Sequence, residues 1–417
     1  MRQSNYLKDI IGTLFERRFT PSRIGDNRTV EALCELLLSE TGDIATIKTA
    51  REILARYAMM DAPAKLGFFE FLARDLDLDP TAIARLATAY GAARTAQGLA
   101  KLVKAAEPRR QELLRRLNRV VGATPSLVAM RRDLFSLVDA HPDLARIDLD
   151  FAHLLSSWFN PGFLVLKRIS WHSPAIILDK IIEYEAVHAI RDWDDLRRRL
   201  APEDRRCFAY FHPSMPDEPL IFVEVALCNG VPGSIQAVLA DGRDILVQDQ
   251  VDTAVFYSIS NCQEGLRGVS FGNSLIKQVV EDLSNEFPHL ARFITLSPIP
   301  GLTRWLAEQP LSGAQSGEKL RIDAARYLLE AKRPDGTPLD SVARFHLGNG
   351  ASVHDVHSDA DLSENGMRQS HGAMVNYLYD LKRLEPNIEA YFGEKRVAAS
   401  PRMQALLKGA QREARKG

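Results

Sequence analysis

A turn in the second half of the chain has the residue types that bind phosphate. It reads Arg267-Gly268-Val269-Ser270-Phe271-Gly272-Asn273 and lies between a predicted strand, 254–260, and a predicted helix, about 273–287. The first turn of a helix leaves backbone N–H groups free, glycines there let an anion approach the backbone closely, and the positive end of the helix dipole adds to the attraction. The pattern therefore favours a pyrophosphate-binding turn.

The same residues allow two other interpretations. Gly268, Ser270 and Gly272 spell Gly-x-Ser-x-Gly, the nucleophile turn of many serine hydrolases, and His346 follows later in the chain, in the order such a site requires. That turn joins its strand directly to its helix, whereas residues 261–266 separate the predicted strand from this motif. The glycines could also serve only to let the helix pack closely. On this pattern alone, phosphate binding is favoured and both alternatives stay open.

Further polar residues stand in unusual sequence contexts. Glu224 places a charge inside an apolar predicted strand, either as an inward-facing acid or on the strand's wet face. The basic runs 197–199 and 205–206 could meet a phosphate, but such runs are more typical of a solvated surface. The segment 354–359 contains side chains that can bind metals, although a solvated loop is the favoured interpretation. Those side chains are His354, Asp355, His357 and Asp359.

Composition limits the classes of protein to which the chain can belong. Of its 417 residues, 46% are hydrophobic and 26% charged, which is typical of a globular protein, and the length predicts two or more domains. The formal net charge of −1 argues against a protein that binds nucleic acid or a membrane surface. The cysteines are scattered, which predicts neither a disulfide framework nor a zinc site. They are Cys34, Cys207, Cys228 and Cys262.

Targeting signals are not apparent in the sequence. No apolar stretch approaches the roughly 20 residues that a transmembrane helix needs. The apolar run within the first residues is too short for a signal peptide, and the last residues do not form a peroxisomal tail. These observations predict a cytoplasmic protein with no membrane partner.

The two halves of the chain differ in hydrophobic periodicity. Apolar residues recur at helical spacing up to about residue 155, as at Val30, Leu33, Cys34 and Leu37, which predicts an all-α bundle over 1–155. Over 156–417 strand-like and helical patterns occur together, which predicts a mixed α/β catalytic domain. The predicted strands cover 207–211, 220–227, 235–239, 254–259, 292–296 and 342–347. The predicted helices cover 173–188, 273–287, 320–332, 374–381 and 402–415.

Longer motifs follow one another over nearly all of the chain after about residue 155. They are Trp171-His-Ser-Pro174, Glu185-Ala-Val-His188, Gly265-Leu-Arg-Gly-Val269, Leu275-Ile-Lys-Gln-Val-Val280, Glu286-Phe-Pro-His-Leu290, Leu296-Ser-Pro-Ile-Pro-Gly301, Phe345-His-Leu-Gly-Asn-Gly-Ala351 and Asn376-Tyr-Leu-Tyr379. Together, and in this order, they resemble the malonyl-CoA decarboxylase family.

The resemblance implies a fold and a reaction. The fold is an N-terminal helical domain that serves assembly into a homo-oligomer, a dimer or tetramer, followed by a GNAT-like acyl-CoA-binding catalytic domain. The reaction converts malonyl-CoA to acetyl-CoA and CO2 without a metal or an organic cofactor. In GNAT proteins the CoA turn reads Arg/Gln-x-x-Gly-x-Gly/Ala, so Ser270 stands here in place of the middle glycine.

The resemblance also places catalytic residues. The family's catalytic serine and histidine fall on Ser297 and His346, and Tyr379 is either a substrate-binding hydroxyl or a core aromatic. Taken alone, Ser297 could merely bond its own turn and His346 could be a buried structural histidine on a predicted strand. Three alternative functions remain: an acyl-CoA-dependent N-acyltransferase, a serine hydrolase that uses Ser270, and a non-catalytic acyl-CoA sensor.

Overall fold

Residue contacts divide the chain into a helical unit and a sheet-containing unit. The computed structural model describes residues 27–39, 42–269, 275–309 and 317–414. The helical unit comprises the described residues up to Leu164, together with His212–Pro216 and the segment that begins at Gln263. The second unit comprises Val165–Phe211, Asp217–Cys262 and the described residues from Leu275 onwards. No helix in these described ranges is long and apolar enough to cross a membrane.

Short, capped helices build the first unit. Asp61 and Asp79 accept hydrogen bonds from backbone N–H groups in the helical turns that follow them, which satisfies donors that a helix start leaves free. The core is aromatic, because the rings of Tyr57, Phe68 and Phe69 meet edge to face. The helices are α1 (Val30–Ser39), α2 (Asp43–Ala58), α3 (Ala62–Arg74), α4 (Pro80–Ala92), α5 (Ala96–Ala105), α6 (Arg109–Leu117), α7 (Ala123–Val138) and α8 (Ala145–Trp158). The prediction of a helical N-terminal region is confirmed.

The second unit combines strands and helices, as predicted. Its strands are β1 (Val165–Ile169), β2 (Arg205–Phe211), β3 (Ile221–Cys228), β4 (Thr253–Asn261), β5 (Arg292–Thr295), β6 (Ser297–Pro298), β7 (Ser352–His357) and β8 (Met374–Leu378). Its helices are α9 (Ala175–Tyr184), α10 (Trp193–Leu200), α11 (Ile235–Leu239), α12 (Leu275–Glu286), α13 (Leu302–Ala307), α14 (Gly317–Glu330), α15 (Ser341–Gly348), α16 (Glu364–Ser370), α17 (Leu384–Glu394) and α18 (Pro401–Ala414).

The eight strands of the described residues form one mixed sheet. Its order is β1-β2-β3-β4-β5-β8-β6, and β7 pairs with β8 off this path. The first four strands pair antiparallel, as do β5, β6 and β7 with β8, whereas β4 and β5 run parallel. A parallel pair needs a crossover connection, and α12 lies within the one between β4 and β5.

The β4–β5 pairing ends before β4 does. Residues Thr253–Phe256 of β4 pair with Arg292–Thr295, while β4 itself continues to Asn261. The backbone N–H of Leu296 donates to the carbonyl of Phe256, and no later residue of β4 pairs with β5 in the described structure. The two strands therefore part immediately before Ser297, and Ser297 pairs with Val375 of β8.

Two predicted strands are helices in the structure. Residues 235–239 form α11, and residues 342–347 lie in α15, which carries His346. At the start of α15, Asp340 accepts a hydrogen bond from the backbone N–H of Ala343 at 2.8 Å, and this cap favours a helix. Ala343 and Leu347, four residues apart, are both buried, as expected for two residues on the same buried face of a helix. A short apolar run fits both the helical period of about 3.6 residues and the strand period of about two. The strand predictions were wrong for this reason.

Two further segments are strands where the sequence predicted otherwise. The prediction of a helix over 374–381 was wrong, because Met374–Leu378 forms β8 between β5 and β6 with β7 as a further partner. The segment 354–359 was predicted as a solvated loop, but Ser352–His357 forms β7. Pairing between β7 and β8 satisfies the backbone of both segments, and such non-local contacts leave little trace in local sequence.

Candidate active site

Ser297 lies on β6, the two-residue strand that begins one residue after β5 ends. It pairs with Val375 of β8, and its side chain is buried. The next residue, Pro298, has a fixed φ, which limits backbone motion at this point. The Ser297 hydroxyl donates a hydrogen bond to Oγ1 of Thr295, at 2.9 Å. The hydroxyl is therefore held in one orientation rather than free to rotate.

His346 lies on α15 and contacts Ser297 directly. Its Nε2 is 3.1 Å from Oγ of Ser297, and its Nδ1 is 2.8 Å from the hydroxyl oxygen of Tyr379. The ring of Tyr377 stacks on the imidazole, with 4.4 Å between centroids and 23° between planes. The structure thus brings Ser297, His346 and Tyr379, which the sequence placed far apart, into one hydrogen-bonded chain.

Burial sets the protonation states of this chain. Desolvation lowers the pKa of His346 to about 3, so the imidazole is neutral near pH 7. Desolvation also raises the pKa of Tyr379 well above its ordinary value, so the phenol keeps its hydrogen. A neutral imidazole carries one N–H and one lone pair. The site can therefore donate and relay hydrogen bonds, but it is a poor place for a cationic acid.

Three neighbours hold the hydrogen-bonded residues in place: Thr295, Asn376 and Tyr377. The sequence did not single them out as individual residues. Thr295 is fully buried, and its Oγ1 also accepts the backbone N–H of Tyr377, at 3.0 Å. The amide of Asn376 donates to the Thr295 carbonyl at 2.7 Å. Alternation along β5 and β6 was an available signal, since residues two apart on an extended chain share a face, as Thr295 and Ser297 do.

The candidate phosphate-binding turn is only partly described. Ser270, Phe271, Gly272 and Asn273 lie outside the described residues, and α12 begins beyond them at Leu275. Gly268 has φ of +82°, a conformation that favours glycine. The Arg267 guanidinium lies 4.1 Å from the ring centroid of Phe135 on α7, and the guanidinium of Arg131 donates to the Arg267 carbonyl at 2.9 Å. Arg267, Gly268 and Val269 are thus anchored within the helical unit.

Glu224 faces the interior and is fully buried. Nη1 of Arg199 lies 3.2 Å from one of its carboxylate oxygens, while its Oε1 has no hydrogen-bond partner in the described structure. Burial raises the pKa of Glu224 to about 8. Arg199, Arg205 and Arg206 are buried as well, so the solvated surface favoured for these basic runs is wrong at these three positions.

The motif that begins at Glu185 fastens the chain to β4. The Glu185 carboxylate accepts the hydroxyl of Ser258, at 2.7 Å, and the backbone N–H of His188, also at 2.7 Å. Burial lowers the pKa of His188 to about 4. These contacts lie on β4 beyond the point where it leaves β5. They give the motif a structural role.

Two of the four candidate metal ligands, Asp355 and His357, contact other side chains. Asp355 pairs with Arg321 and Arg402, and Nε2 of His357 bonds the side-chain oxygen of Asn376. His354 is half-buried on the same strand. In the described part of the chain, no group of three acidic, histidine or cysteine side chains is arranged to hold a metal ion.

The topology and the site together define a class. The sheet is mixed, its parallel strands β4 and β5 are joined across α12 and then part, and polar side chains lie where they part, so the second unit is a mixed α/β domain with a buried polar site. A helical unit precedes it.

Comparison with known proteins gives the family. The family model described as "Malonyl-CoA decarboxylase C-terminal domain" matches residues 162–321 and 307–417, and the model described as "Malonyl-CoA decarboxylase N-terminal domain" matches 76–159. The chain belongs to the malonyl-CoA decarboxylase family, as its motifs predicted.

Relatives and solved structures agree with this assignment. The mitochondrial malonyl-CoA decarboxylase of Rattus norvegicus is 34% identical over 354 residues, which cover 72% of this chain and 71% of the rat protein. The crystal structure of the Rhodopseudomonas palustris malonyl-CoA decarboxylase is 47% identical, with a TM-score of 0.84 over 91% of this chain and 98% of that one. The Agrobacterium vitis malonyl-CoA decarboxylase is also 47% identical, with a TM-score of 0.85 over 91% and 99%.

Proposed function

We propose that this protein is a malonyl-CoA decarboxylase, which releases CO2 from malonyl-CoA and leaves acetyl-CoA. The observation that carries the proposal is the buried chain of Ser297, His346 and Tyr379 in a member of this family. The residues that the motifs predicted as catalytic are the ones that meet in the structure. Their chemistry is that of hydrogen-bond donors in a site removed from water.

The substrate already holds the electron sink for this reaction. As the bond to the carboxylate breaks, its electron pair moves through the adjacent carbon onto the thioester oxygen, and CO2 leaves. The resulting enolate then takes one proton at carbon. The protein must supply donors for the developing oxyanion and an acid for the carbon. No step requires a metal or organic cofactor in this scheme.

Ser297 and His346 are proposed to supply those groups. The hydroxyl of Ser297 has a transferable hydrogen, and the neutral imidazole of His346 has one N–H to share. A buried donor is worth more here than in water, because the low dielectric strengthens its bond to the charge that forms. Tyr379 holds Nδ1 of His346 and so orients the ring.

The turn beginning at Arg267 is proposed to bind the pyrophosphate of CoA. Gly268 and Val269 precede α12 in the sequence, and a helix N-terminus offers backbone N–H groups and the positive end of a dipole. Ser270, Phe271, Gly272 and Asn273 are proposed contacts on sequence grounds. We further propose, as the sequence predicted, a homo-oligomer of two or four chains, assembled through the helical unit, and a cytoplasmic location.

One assay tests the proposal against its alternatives. Purified protein is mixed with malonyl-CoA, and CO2, acetyl-CoA and free CoA are followed over time. Equal amounts of CO2 and acetyl-CoA are expected. Free CoA would favour a hydrolase, acyl transfer only after an amine is added would favour an acyltransferase, and tight binding without turnover would favour a sensor.

A further inference from the structure

We propose that Thr295 is a positioning residue that sets the direction of the hydrogen-bond chain and so places the proton of His346 on Nε2. This inference rests on the proposed function only for its consequence in turnover, because the position of the proton is a property of the resting protein. Thr295 lies at the end of β5, two residues before Ser297. It would act through Ser297 and not on the substrate.

The hydrogen bond between Ser297 and Thr295, in which the serine hydroxyl is the donor, gives the direction. A serine hydroxyl has one hydrogen to donate, and Ser297 donates it to Oγ1 of Thr295. The contact of 3.1 Å between Ser297 and Nε2 of His346 must then be one in which the serine oxygen accepts. Nε2 therefore bears the hydrogen of the neutral ring, and Nδ1 accepts the hydroxyl hydrogen of Tyr379 at 2.8 Å.

Thr295 is built into the core as a fixed acceptor. Its Oγ1 accepts a hydrogen bond from the backbone N–H of Tyr377. This bond occupies one lone pair of Oγ1 and fixes the orientation of the side chain. The amide of Asn376 bonds its carbonyl, so the backbone is held as well. A β-branched side chain on a strand has few χ1 choices, and complete burial removes water as a competing acceptor. The position next to Ser297 is therefore a rigid one.

The direction matters for the kind of chemistry the pair can perform. With hydrogen on Nε2, His346 is a donor toward Ser297. The opposite tautomer would present a lone pair there, and His346 would then be a base that draws the hydrogen from the serine, as a serine nucleophile requires. Decarboxylation needs donors and no covalent serine intermediate. Thr295 thus favours protonation over acyl transfer at this serine.

The tautomer can be observed directly. In protein labelled with ¹⁵N at histidine, the two ring nitrogens of His346 give different chemical shifts according to which one carries hydrogen. The His346→Asn variant identifies its signals. We expect the Nε2–H tautomer in the wild type near pH 7. The Nδ1–H tautomer there would overturn the inference, whatever the activity of the protein.

Two variants test the cause. Thr295→Val keeps the shape and removes the acceptor, so the Ser297 hydroxyl should turn to Nε2 and the ring should shift to the Nδ1–H tautomer. kcat for CO2 release should fall roughly tenfold or more, with KM within about twofold. Thr295→Ser keeps the hydroxyl and should restore both the tautomer and kcat. An unchanged tautomer in a folded Thr295→Val protein would remove Thr295 from this role.

Thr253→Val is a matched control for the loss of a buried hydroxyl. Thr253 is also fully buried at a strand position, where its Oγ1 donates to Asp252 at 2.7 Å and accepts from Arg292 at 3.0 Å. Its valine variant should lose stability while leaving the His346 tautomer and kcat unchanged. If wild-type protein releases no CO2, the proposed function fails, yet the tautomer measurement still decides the role of Thr295.

Discussion

At the scale of the residue, Ser297 has its hydroxyl held between Thr295 and His346. Replacing it with alanine removes one donor from the proposed reaction site and leaves the fold intact, because only one buried oxygen is lost. We expect Ser297→Ala to lose on the order of 10²-fold in kcat, with a smaller change in KM. The measurement is steady-state CO2 release from malonyl-CoA.

The control for this variant is Ser284→Ala. Ser284 lies on α12, and its hydroxyl bonds the carbonyl of Val280 in its own helix at 2.7 Å. That variant should keep full activity. Mass spectrometry of the wild type during turnover should find no acyl group on Ser297. A trapped malonyl or acetyl group there would instead indicate nucleophilic catalysis.

His346 offers a separate test of hydrogen bonding and proton transfer. His346→Ala should lose roughly 10²- to 10⁴-fold in kcat, the range for a lost oxyanion donor or general acid. His346→Asn keeps a donor that cannot titrate, so its recovery over alanine measures the hydrogen-bond share. Because burial lowers the pKa of His346 to about 3, wild-type kcat should show no titration near pH 6.5. Full activity in a folded His346→Ala protein would show that the histidine is structural.

The sequence was informative about the residues and uninformative about their contacts. The motifs containing Ser297, His346 and Tyr379 pointed to the side chains that the structure brings together. Alternation with Ser297 was the one local signal for Thr295, and its contact with the backbone of Tyr377 could not be predicted, because that contact comes from pairing between β5, β6 and β8. Glu224 stood out as a charge in an apolar strand. Its partner Arg199 did not, since a run of arginines usually faces water.

At the scale of the element, the segment that carries Gly265 lies tightly against α7. A side-chain carbon on Gly265 would lie 2.0 Å from the carbonyl oxygen of Val128, which is backbone and cannot move aside. Gly265→Ala should therefore displace the segment from α7 and destabilise the helical unit by a few kcal/mol. Since Arg267 follows two residues later, KM for malonyl-CoA should also rise if this segment positions the CoA turn.

Gly91→Ala is the matched control for that prediction. Gly91 lies within α4, and a side-chain carbon there would meet nothing within 4 Å. Alanine has the higher helix propensity, so this variant should gain about 0.5–1 kcal/mol and leave KM unchanged. Thermal unfolding of both variants, with kinetics on each, gives the comparison. Equal stability of Gly265→Ala and wild type would show that the segment yields more easily than its contacts indicate.

The element predictions failed where two periods fit the same residues. The helices of the first unit have several turns, and their apolar residues repeat at helical spacing over that length. The sequence therefore predicted that this region is helical. The segment 342–347 reads as alternating, and only the cap from Asp340 shows why it is helical. The strand β8 reads as a short apolar helix and is fixed by its neighbours on both sides. The polar site depends on both of these elements.

At the scale of the whole molecule, charge is balanced globally and concentrated locally. The formal net charge is −1, so long-range attraction of an anionic CoA ester must come from local groups. Within the second unit, charges are also buried. Arg199, Glu224 and Glu185 lie on the face of the sheet covered by α9 and α10. A buried group whose pKa differs between the folded and unfolded states makes stability depend on pH.

Glu224 should make the stability of the second unit fall as pH rises. Burial is the main cause that raises its pKa from 4.5 to about 8, with Glu185 and Asp195 adding to the rise and Arg199 opposing it. Between these values the folded protein holds a proton that the unfolded chain releases. Unfolding is then favoured by raising the pH, by up to about 1.4 kcal/mol for each pH unit across this interval. Glu224→Gln cannot titrate and should flatten this decline. Urea unfolding of both proteins from pH 5 to 9 measures the difference. In the wild type, the infrared band of the protonated Glu224 carboxyl should disappear near pH 8, and the Glu224→Gln variant should lack this band. Parallel stability curves for the two proteins would show that Arg199 keeps Glu224 ionised throughout.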